Sequence, residues 1–478
     1  MNPLVSETRT KIVCTIGPAS RSEGVLRAMI RAGMDVARIN FSHGTKEEHG
    51  EDIATIRRIS GEEEATVAIL ADLQGPKLRI GELKGPLDLK KGDFISLTDL
   101  PADGSDNVIP LPHPGLIGSA KVGDRLLFDD GLIEAVVREA RPDAMIAEVV
   151  LGGRLTSHKG IAAPSSGGGI EAFTDKDRDD ARYAAAHGVD FIALSFVRRA
   201  EDIDSLRRFL SGIEGGEGVG IVAKIEKREA IENIDGIIRA ADAVMVARGD
   251  LGVELSPQEV PFHQKEIIRR CNRLGIPVIT ATQMLQSMIS SPRPTRAEAS
   301  DVANAVLDGT DALMLSAETA SGGYPVEAVE MMREISAIAE GGMPSRIDEL
   351  RFEDLEHTHP VTDAISDATV RIADEVDAKL IVTSTWSGYT ARQIARERPR
   401  RPIVALTPNE NVARQLALVW GVTSLRVEAY EGADGILGIV SVALTEAGYA
   451  KVGDLVVITG GLPTGGGGKT NFIKVHRL

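Results

Sequence analysis

The sequence predicts an eight-stranded (β/α)8 barrel that carries an inserted small β-barrel lid and a C-terminal open α/β unit. Two observations lead to this. Eight short apolar runs, at residues 10–16, 35–41, 66–72, 190–197, 219–223, 243–246, 277–281 and 312–316, are bounded by glycine and charge. Runs of that kind read as buried parallel strands. Most are separated by amphipathic stretches of helix length, such as 178–187, 202–209 and 261–274, which is the alternation of a parallel barrel.

Polarity is concentrated where the runs end. Arg38, Asn40, Ser42, Asp72, Lys224, Glu226, Asp250, Thr282 and Glu318 all fall at or just beyond the C-terminal ends of predicted strands. That face of a (β/α)8 barrel carries the active site. Lys224-Ile225-Glu226 and Ala247-Arg248-Gly249-Asp250 bring two carboxylates and two cations to adjacent strand ends. Carboxylates beside a cation suit an oxygen-ligand metal and a phosphorylated anion.

The periodicity changes between the third strand and its helix. Segments 90–97, 125–130, 133–140 and 144–151 are short and β-like, with Gly-Asp turns between them. This places the inserted unit at 76–172 and the discontinuous barrel at 1–75 and 173–343. A unit hinged over a barrel mouth is a candidate lid, with 165–169 as its return linker. Residues 344–360 are polar and read as a linker; His357 and His359 have no third metal ligand nearby. From 344 to 478 helices alternate with runs at 379–385, 402–406, 424–428, 454–459 and 471–476, a separate open α/β unit. Gly465 to Thr470 imitates a phosphate-binding loop. However, Pro463 stands where its first glycine should be, and eight residues after Thr470 leave no room for the required helix.

Composition bounds the function. The chain has 478 residues and is 43% hydrophobic, enough for several cores. No apolar stretch reaches the roughly 18 residues of a membrane span, and residues 1–6 do not form a signal peptide. The net charge of −16 argues against nucleic acid as a partner. Cys14 and Cys271 are the only cysteines and read as buried thiols of a reducing, cytoplasmic protein.

Long strings carry a family resemblance. Thr-Lys-Ile-Val-Cys-Thr-Ile-Gly-Pro-Ala-Ser (10–20), Ala-Arg-Ile-Asn-Phe-Ser-His-Gly (37–44), Ala-Lys-Ile-Glu (223–226), Val-Ala-Arg-Gly-Asp-Leu-Gly-Val-Glu (246–254), Ala-Thr-Gln-Met-Leu (281–285) and the segment 294–311 closely resemble pyruvate kinase. The resemblance spans essentially the whole chain. It implies phosphoryl transfer from phosphoenolpyruvate to ADP, giving pyruvate and ATP in glycolysis. It implies Mg2+, with Mn2+ as an alternative, at Glu226 and Asp250. It further implies substrate contacts from Arg38, Lys224, Gly249, Asp250 and Thr282, with Thr282 near the enol carbon. Nucleotide contacts would come from Asn40, His43, Arg79 and Lys159. Two other functions share the barrel: a Mg2+-dependent aldolase or lyase acting on pyruvate enolates, and an inactive regulatory homologue.

The sequence departs from the resemblance in two places. Potassium-dependent members read Thr-Lys-Gly-Pro-Glu after the aspartate, whereas here the residues are Leu73-Gln74-Gly75-Pro76-Lys77. The cation pocket would be Asn40, Ser42, Asp72 and the carbonyl of Leu73. Lys77 replaces the glutamate that helps the ion, so potassium is not expected to be required; the alternative is a solvated Lys77. Residues 161–169 differ from the usual lid return. Ser384 to Thr390 resembles an effector-phosphate turn, assigning Ser384, Thr385, Ser387, Gly388, Thr390 and Lys469 to a phosphorylated small-molecule effector. A helix terminus capped by Thr385 or Ser387 is the competing reading. A homotetramer follows from the resemblance alone.

Overall fold

Eight of the apolar runs close into one ring. The computed structural model describes residues 8–76, 78–129, 131–163, 171–342, 359–430, 432–463 and 469–478. Its barrel strands are β1 (Lys11–Thr15), β2 (Val36–Asn40), β3 (Ala68–Asp72), β4 (Phe191–Leu194), β5 (Gly220–Ile225), β6 (Ala243–Ala247), β7 (Val278–Ala281) and β8 (Ala312–Leu315). All are parallel, each pairs with its sequence neighbours, and β8 returns to β1 with Lys11 opposite Ala312.

The two faces of each strand explain the fully apolar runs. Ile12, Cys14, Ala37, Ile39, Ile69 and Ala71 pack outward against the helices. Val13, Val36, Ala68, Leu70, Val222 and Met245 fill the barrel interior. Side chains alternate with a period of two. Interior positions Val36, Leu70 and Val222 therefore place Arg38, Asp72 and Lys224, two residues on, inside the barrel at its C-terminal mouth.

Between β3 and β4 the chain builds the inserted unit. A six-stranded sheet runs in the order Ile161–Ala162, Arg125–Phe128, Ile133–Ala140, Ala144–Leu151, Phe94–Thr98, Val108–Pro110. A two-stranded ribbon pairs Leu87–Leu89 with Gly153–Leu155. Both share one core that includes Leu97, Phe128, Val137 and Val149. The residues of the proposed return linker lie outside those described.

The C-terminal unit is a five-stranded sheet ordered Val422–Arg426, Ile403–Thr407, Leu380–Ser384, Leu455–Gly460, Phe472–Arg477, antiparallel only at its last strand. Thr470 is followed by that strand and not by a helix, in keeping with the rejected phosphate-loop reading; the glycines before it lie outside the described residues. His357 also lies outside them. His359 precedes the helix Pro360–Glu375, and no metal-binding group of three or more ligands occurs among the described residues. Both cysteines are buried and free.

The C-terminal unit plugs the bottom of the barrel. Ala417 and Leu418 join the interior core. The buried Arg398 guanidinium donates to Asp311 Oδ1 at 3.0 Å, Asn272 Oδ1 at 2.8 Å and the Gly309 carbonyl at 2.7 Å. It lies 4.8 Å from the Trp420 ring. Removing one member of a buried ion pair leaves the other charge desolvated, which costs about 3 kcal/mol or more. Arg398→Met is therefore expected to lower the denaturant midpoint of the first unfolding transition clearly. A midpoint equal to wild type would show that this contact does not hold the two units together.

Candidate active site

A cavity of about 560 Å3 opens at the C-terminal mouth of the barrel. Arg38, Asn40, Asp72, Lys224, Asp250 and Thr282 are among its lining residues. Six positions chosen on sequence grounds thus meet in one space.

Their charges form a single cluster. Lys224 Nζ lies 2.9 Å from Glu226 Oε1 and 3.1 Å from Asp72 Oδ1, and donates to Ser195 Oγ at 2.7 Å. Arg38 Nε donates to Asp72 Oδ2 at 2.7 Å, and its Nη1 donates to Thr15 Oγ1 at 2.8 Å. The Lys224–Asp72 approach is an ion pair by distance but is not aligned as a hydrogen bond, so Asp72 Oδ1 keeps acceptor capacity. Asp72 and Glu226 are each 1% exposed.

Burial opposes each of these charges, and the partners decide the outcome. For Asp72 the Lys224 ammonium and the Arg38 guanidinium outweigh burial and hold the carboxyl below its ordinary value. For Lys224 burial is outweighed by Asp72 and Glu226, so the ammonium is held more firmly than in water. For Glu226 burial wins. Lys224 lowers its pKa, but Asp250 adds a like charge, and the net direction is upward. Glu226 is thus the strained member of the group.

That strain bears on a metal. Glu226 and Asp250 offer carboxylate oxygens only, which fits a hard divalent ion that retains water and substrate oxygens. A cation beside them would offset the Asp250 repulsion that adds to burial in raising Glu226. Glu226 Oε1 now meets Lys224, and Oε2 accepts the Phe196 N–H at 2.7 Å. Lys224 and an ion would thus compete for this carboxylate.

Strained backbone shapes the opposite wall. Thr282 and Gln283 have φ of 71° and 56°. Thr282 is not the N-cap of a helix that follows it in the chain: its Oγ1 accepts the first-turn Gly249 N–H of the helix Arg248–Glu254 at 2.8 Å and donates to the Ala281 carbonyl at 2.6 Å. Arg248 fastens this wall, donating to the Thr282 carbonyl at 2.7 Å and to Asp301 Oδ1 at 2.8 Å. Asp250 sits on the helix Arg248–Glu254 directly after β6.

Other expected residues are distributed differently. His43 lines the cavity, and Asn40 Oδ1 accepts the Ser42 N–H at 3.1 Å. Leu73 is buried and its carbonyl accepts from Ser195 Oγ at 2.7 Å. Lys77 lies outside the described residues. Arg79 and Lys159 stay on the inserted unit and do not line the cavity: Arg79 Nη1 donates to the His158 carbonyl and Lys159 Nζ to Asp129 Oδ1, each at 2.7 Å. Glu318 is structural, accepting from the Leu285 and Ser316 N–H groups.

In the C-terminal turn, Ser384 Oγ bonds the Tyr430 hydroxyl at 2.7 Å and Thr390 Oγ1 bonds Thr470 Oγ1 at 2.9 Å. Gly388, at φ 76°, precedes the helix Tyr389–Arg396, which receives no side-chain cap. Lys469 is exposed beside Thr470.

Sequence reasoning did not single out Ser195 or give Arg248 a task. Ser195 stood in a recognised strand run one residue beyond a buried strand end, the one signal that marked it.

Fold and site together define a phosphotransferase built on a (β/α)8 barrel. The family model described as pyruvate kinase, barrel domain, matches residues 7–329, and the pyruvate kinase alpha/beta domain matches 363–476. The pyruvate kinase of Geobacillus stearothermophilus is 47% identical over 471 residues, covering 98% of this chain and 80% of that protein. Pyruvate kinase 2 of Synechocystis is 45% identical over 475 residues, covering 98% and 79%. The crystal structure of a pyruvate kinase from Cryptosporidium parvum superposes with a TM-score of 0.91 at 36% identity, covering 98% of this chain and 96% of the other. The chain belongs to the pyruvate kinase family.

Ser195 gives a test of the site. Ser195→Ala removes the hydroxyl that joins Lys224 to the Leu73 carbonyl, while both carboxylate partners of Lys224 remain. Turnover should fall by roughly tenfold to a hundredfold, the scale of a misplaced catalytic group. Wild-type turnover would mean that the carboxylates alone position Lys224.

Proposed function

We propose that this protein transfers the phosphoryl group of phosphoenolpyruvate to ADP, giving pyruvate and ATP, with Mg2+ at Glu226 and Asp250, in the cytoplasm. The observation that carries this reading is the Arg38–Asp72–Lys224–Glu226 cluster at the mouth of the cavity. Phosphoryl transfer needs charge and position and no protein nucleophile. Lys224, kept protonated by its carboxylates, presents a fixed positive charge to the phosphoryl group as it moves. Arg38 turns its guanidinium to the phosphate oxygens while Asp72 holds it in place. Mg2+, with Mn2+ as an alternative, would neutralise developing oxygen charge when bound. Thr282, held between Gly249 and Ala281, orients a water at the enol carbon; its own proton is already committed to the Ala281 carbonyl. Asn40 and His43 meet the nucleotide from the barrel, and Arg79 and Lys159 reach it when the lid closes. An aldolase or lyase would leave the lid and the Arg38–Asn40–Ser42 group without a task.

The same reading extends to regulation and assembly. A phosphorylated effector is taken by the Ser384–Thr390 turn with Lys469, and the chain assembles as a homotetramer. The turn leads into the N-terminus of the helix Tyr389–Arg396, whose backbone N–H groups suit an anion.

Two measurements test the catalytic reading. Glu226→Gln or Asp250→Asn should lower ATP formation by about a thousandfold or more, because an anionic ligand is lost from a site that needs it. Near-normal turnover at moderate Mg2+, with an unchanged circular dichroism spectrum, would refute the metal assignment.

Potassium is the second test. Lys77 follows Asp72 by five residues and brings an ammonium to the loop that shapes the cation pocket. In tetramethylammonium buffer with Mg2+, saturating activity should change little on adding potassium chloride. Lys77→Glu should lower activity and make part of it recoverable by potassium. A wild-type enzyme silent until potassium is added would overturn this role of Lys77 and leave the phosphotransferase reading intact.

A further inference from the structure

The inserted unit is tied to the barrel by two chain crossings, and one buried carboxylate touches both. Asp177 is completely buried on the helix Asp175–Ala186. Its Oδ2 accepts the Thr174 N–H at 3.0 Å and the Thr174 hydroxyl at 2.6 Å, on the returning crossing. Its Oδ1 accepts the Gly75 N–H at 3.0 Å, on the outgoing crossing. The Thr174 contacts belong to an ordinary capping box. The Gly75 contact, across 102 residues of chain, does not.

Both crossings are fixed to the barrel up to these residues. Leu73 N–H donates to the Ala193 carbonyl at 3.0 Å, and Ser195 Oγ holds the Leu73 carbonyl at 2.7 Å. Gly75 has φ 67°, and a Cβ there would come within 2.8 Å of Ser195 Cβ and Phe196 Cδ2. On the return side Phe173 is 3% exposed, 5.3 Å from the Phe209 ring and under the Arg178 guanidinium at 4.6 Å. No lysine or arginine pairs with Asp177 among the described residues, so its charge rests on these neutral donors and on the helix N-terminus. Burying such a group is costly unless it is fully hydrogen-bonded.

We propose that Asp177 is the pin of the lid hinge, a positioning residue that fixes where the inserted unit pivots. It thereby sets where Arg79 and Lys159 arrive over the barrel mouth. The role assigned to those two residues rests on the nucleotide reading above; the pin itself does not. The backbone at Gly75 and at Thr174 is excluded from the pivot, because one carboxylate holds both.

Two variants of the full chain separate a pin from a cap. Asp177→Glu keeps the charge and supplies the usual capping-box residue, but an added methylene displaces Oδ1 from Gly75. Thr174→Val weakens the cap and leaves the Gly75 contact. The pin predicts that Asp177→Glu raises the KM for ADP by roughly tenfold or more, with a smaller change in the KM for phosphoenolpyruvate. It also predicts faster hydrogen exchange in peptides covering 72–83 and 171–176, while β5 to β8 keep their protection. Thr174→Val should leave the KM for ADP at its wild-type value. An Asp177→Glu protein with wild-type KM and wild-type exchange overturns the proposal, as does a Thr174→Val protein that reproduces both changes. If exchange at the hinge rises but the wild-type chain forms no ATP, the pin stands and the functional reading fails.

Discussion

Arg38, Asp72, Lys224 and Glu226 stand within one another's reach at the ends of β2, β3 and β5, and none would be tolerated there without the others. Asp72 and Glu226 are almost wholly buried, where an isolated carboxylate would surrender its charge. Lys224 and Arg38 hold the Asp72 carboxyl below its ordinary value, and the Asp72 and Glu226 carboxylates keep the Lys224 ammonium protonated. The group is balanced but not relaxed. Glu226, raised chiefly by burial, also carries the repulsion of Asp250.

The rest of the architecture serves to hold this group still. Close packing on both faces of the strands fixes the positions from which Arg38, Asp72 and Lys224 project. Ser195 links Lys224 to the Leu73 carbonyl at the root of the inserted unit. Asp177 ties Gly75 to Thr174 two residues further out. The charged cluster and the lid's attachment are thus neighbours along a short run of hydrogen bonds. At the other end of the barrel, Arg398 joins Asp311 to Trp420 and closes the base.

Much of this was legible in the chain itself. The barrel strands were visible because strands buried on both faces are apolar throughout, and their polar ends marked the mouth. Arg38, Asn40, Asp72, Lys224, Asp250 and Thr282 could be chosen on those grounds, and all line the cavity. What escaped were residues whose role depends on distant partners. Ser195 is an ordinary serine until Lys224 is brought to it from 29 positions away. Asp177 looks like a helix cap until Gly75 arrives across the lid. Arg248 was seen as a strand-end charge, but its work is to bind the carbonyls of a loop whose left-handed backbone has no sequence signature. Glu318 was drawn in by its place at a strand end, although it turns to backbone N–H groups and not to the cavity.

The central claim is that Lys224 and a divalent ion compete for Glu226 in a pre-formed, strained cluster. Mn2+ binding to the full chain in the presence of phosphoenolpyruvate, read by electron paramagnetic resonance, tests it most directly. The account predicts that Glu226→Gln weakens Mn2+ binding by about tenfold or more, whereas Lys224→Met binds the ion at least as tightly as wild type because its competitor for Oε1 is gone. Wild-type affinity in Glu226→Gln, or a loss of affinity in Lys224→Met, would contradict it.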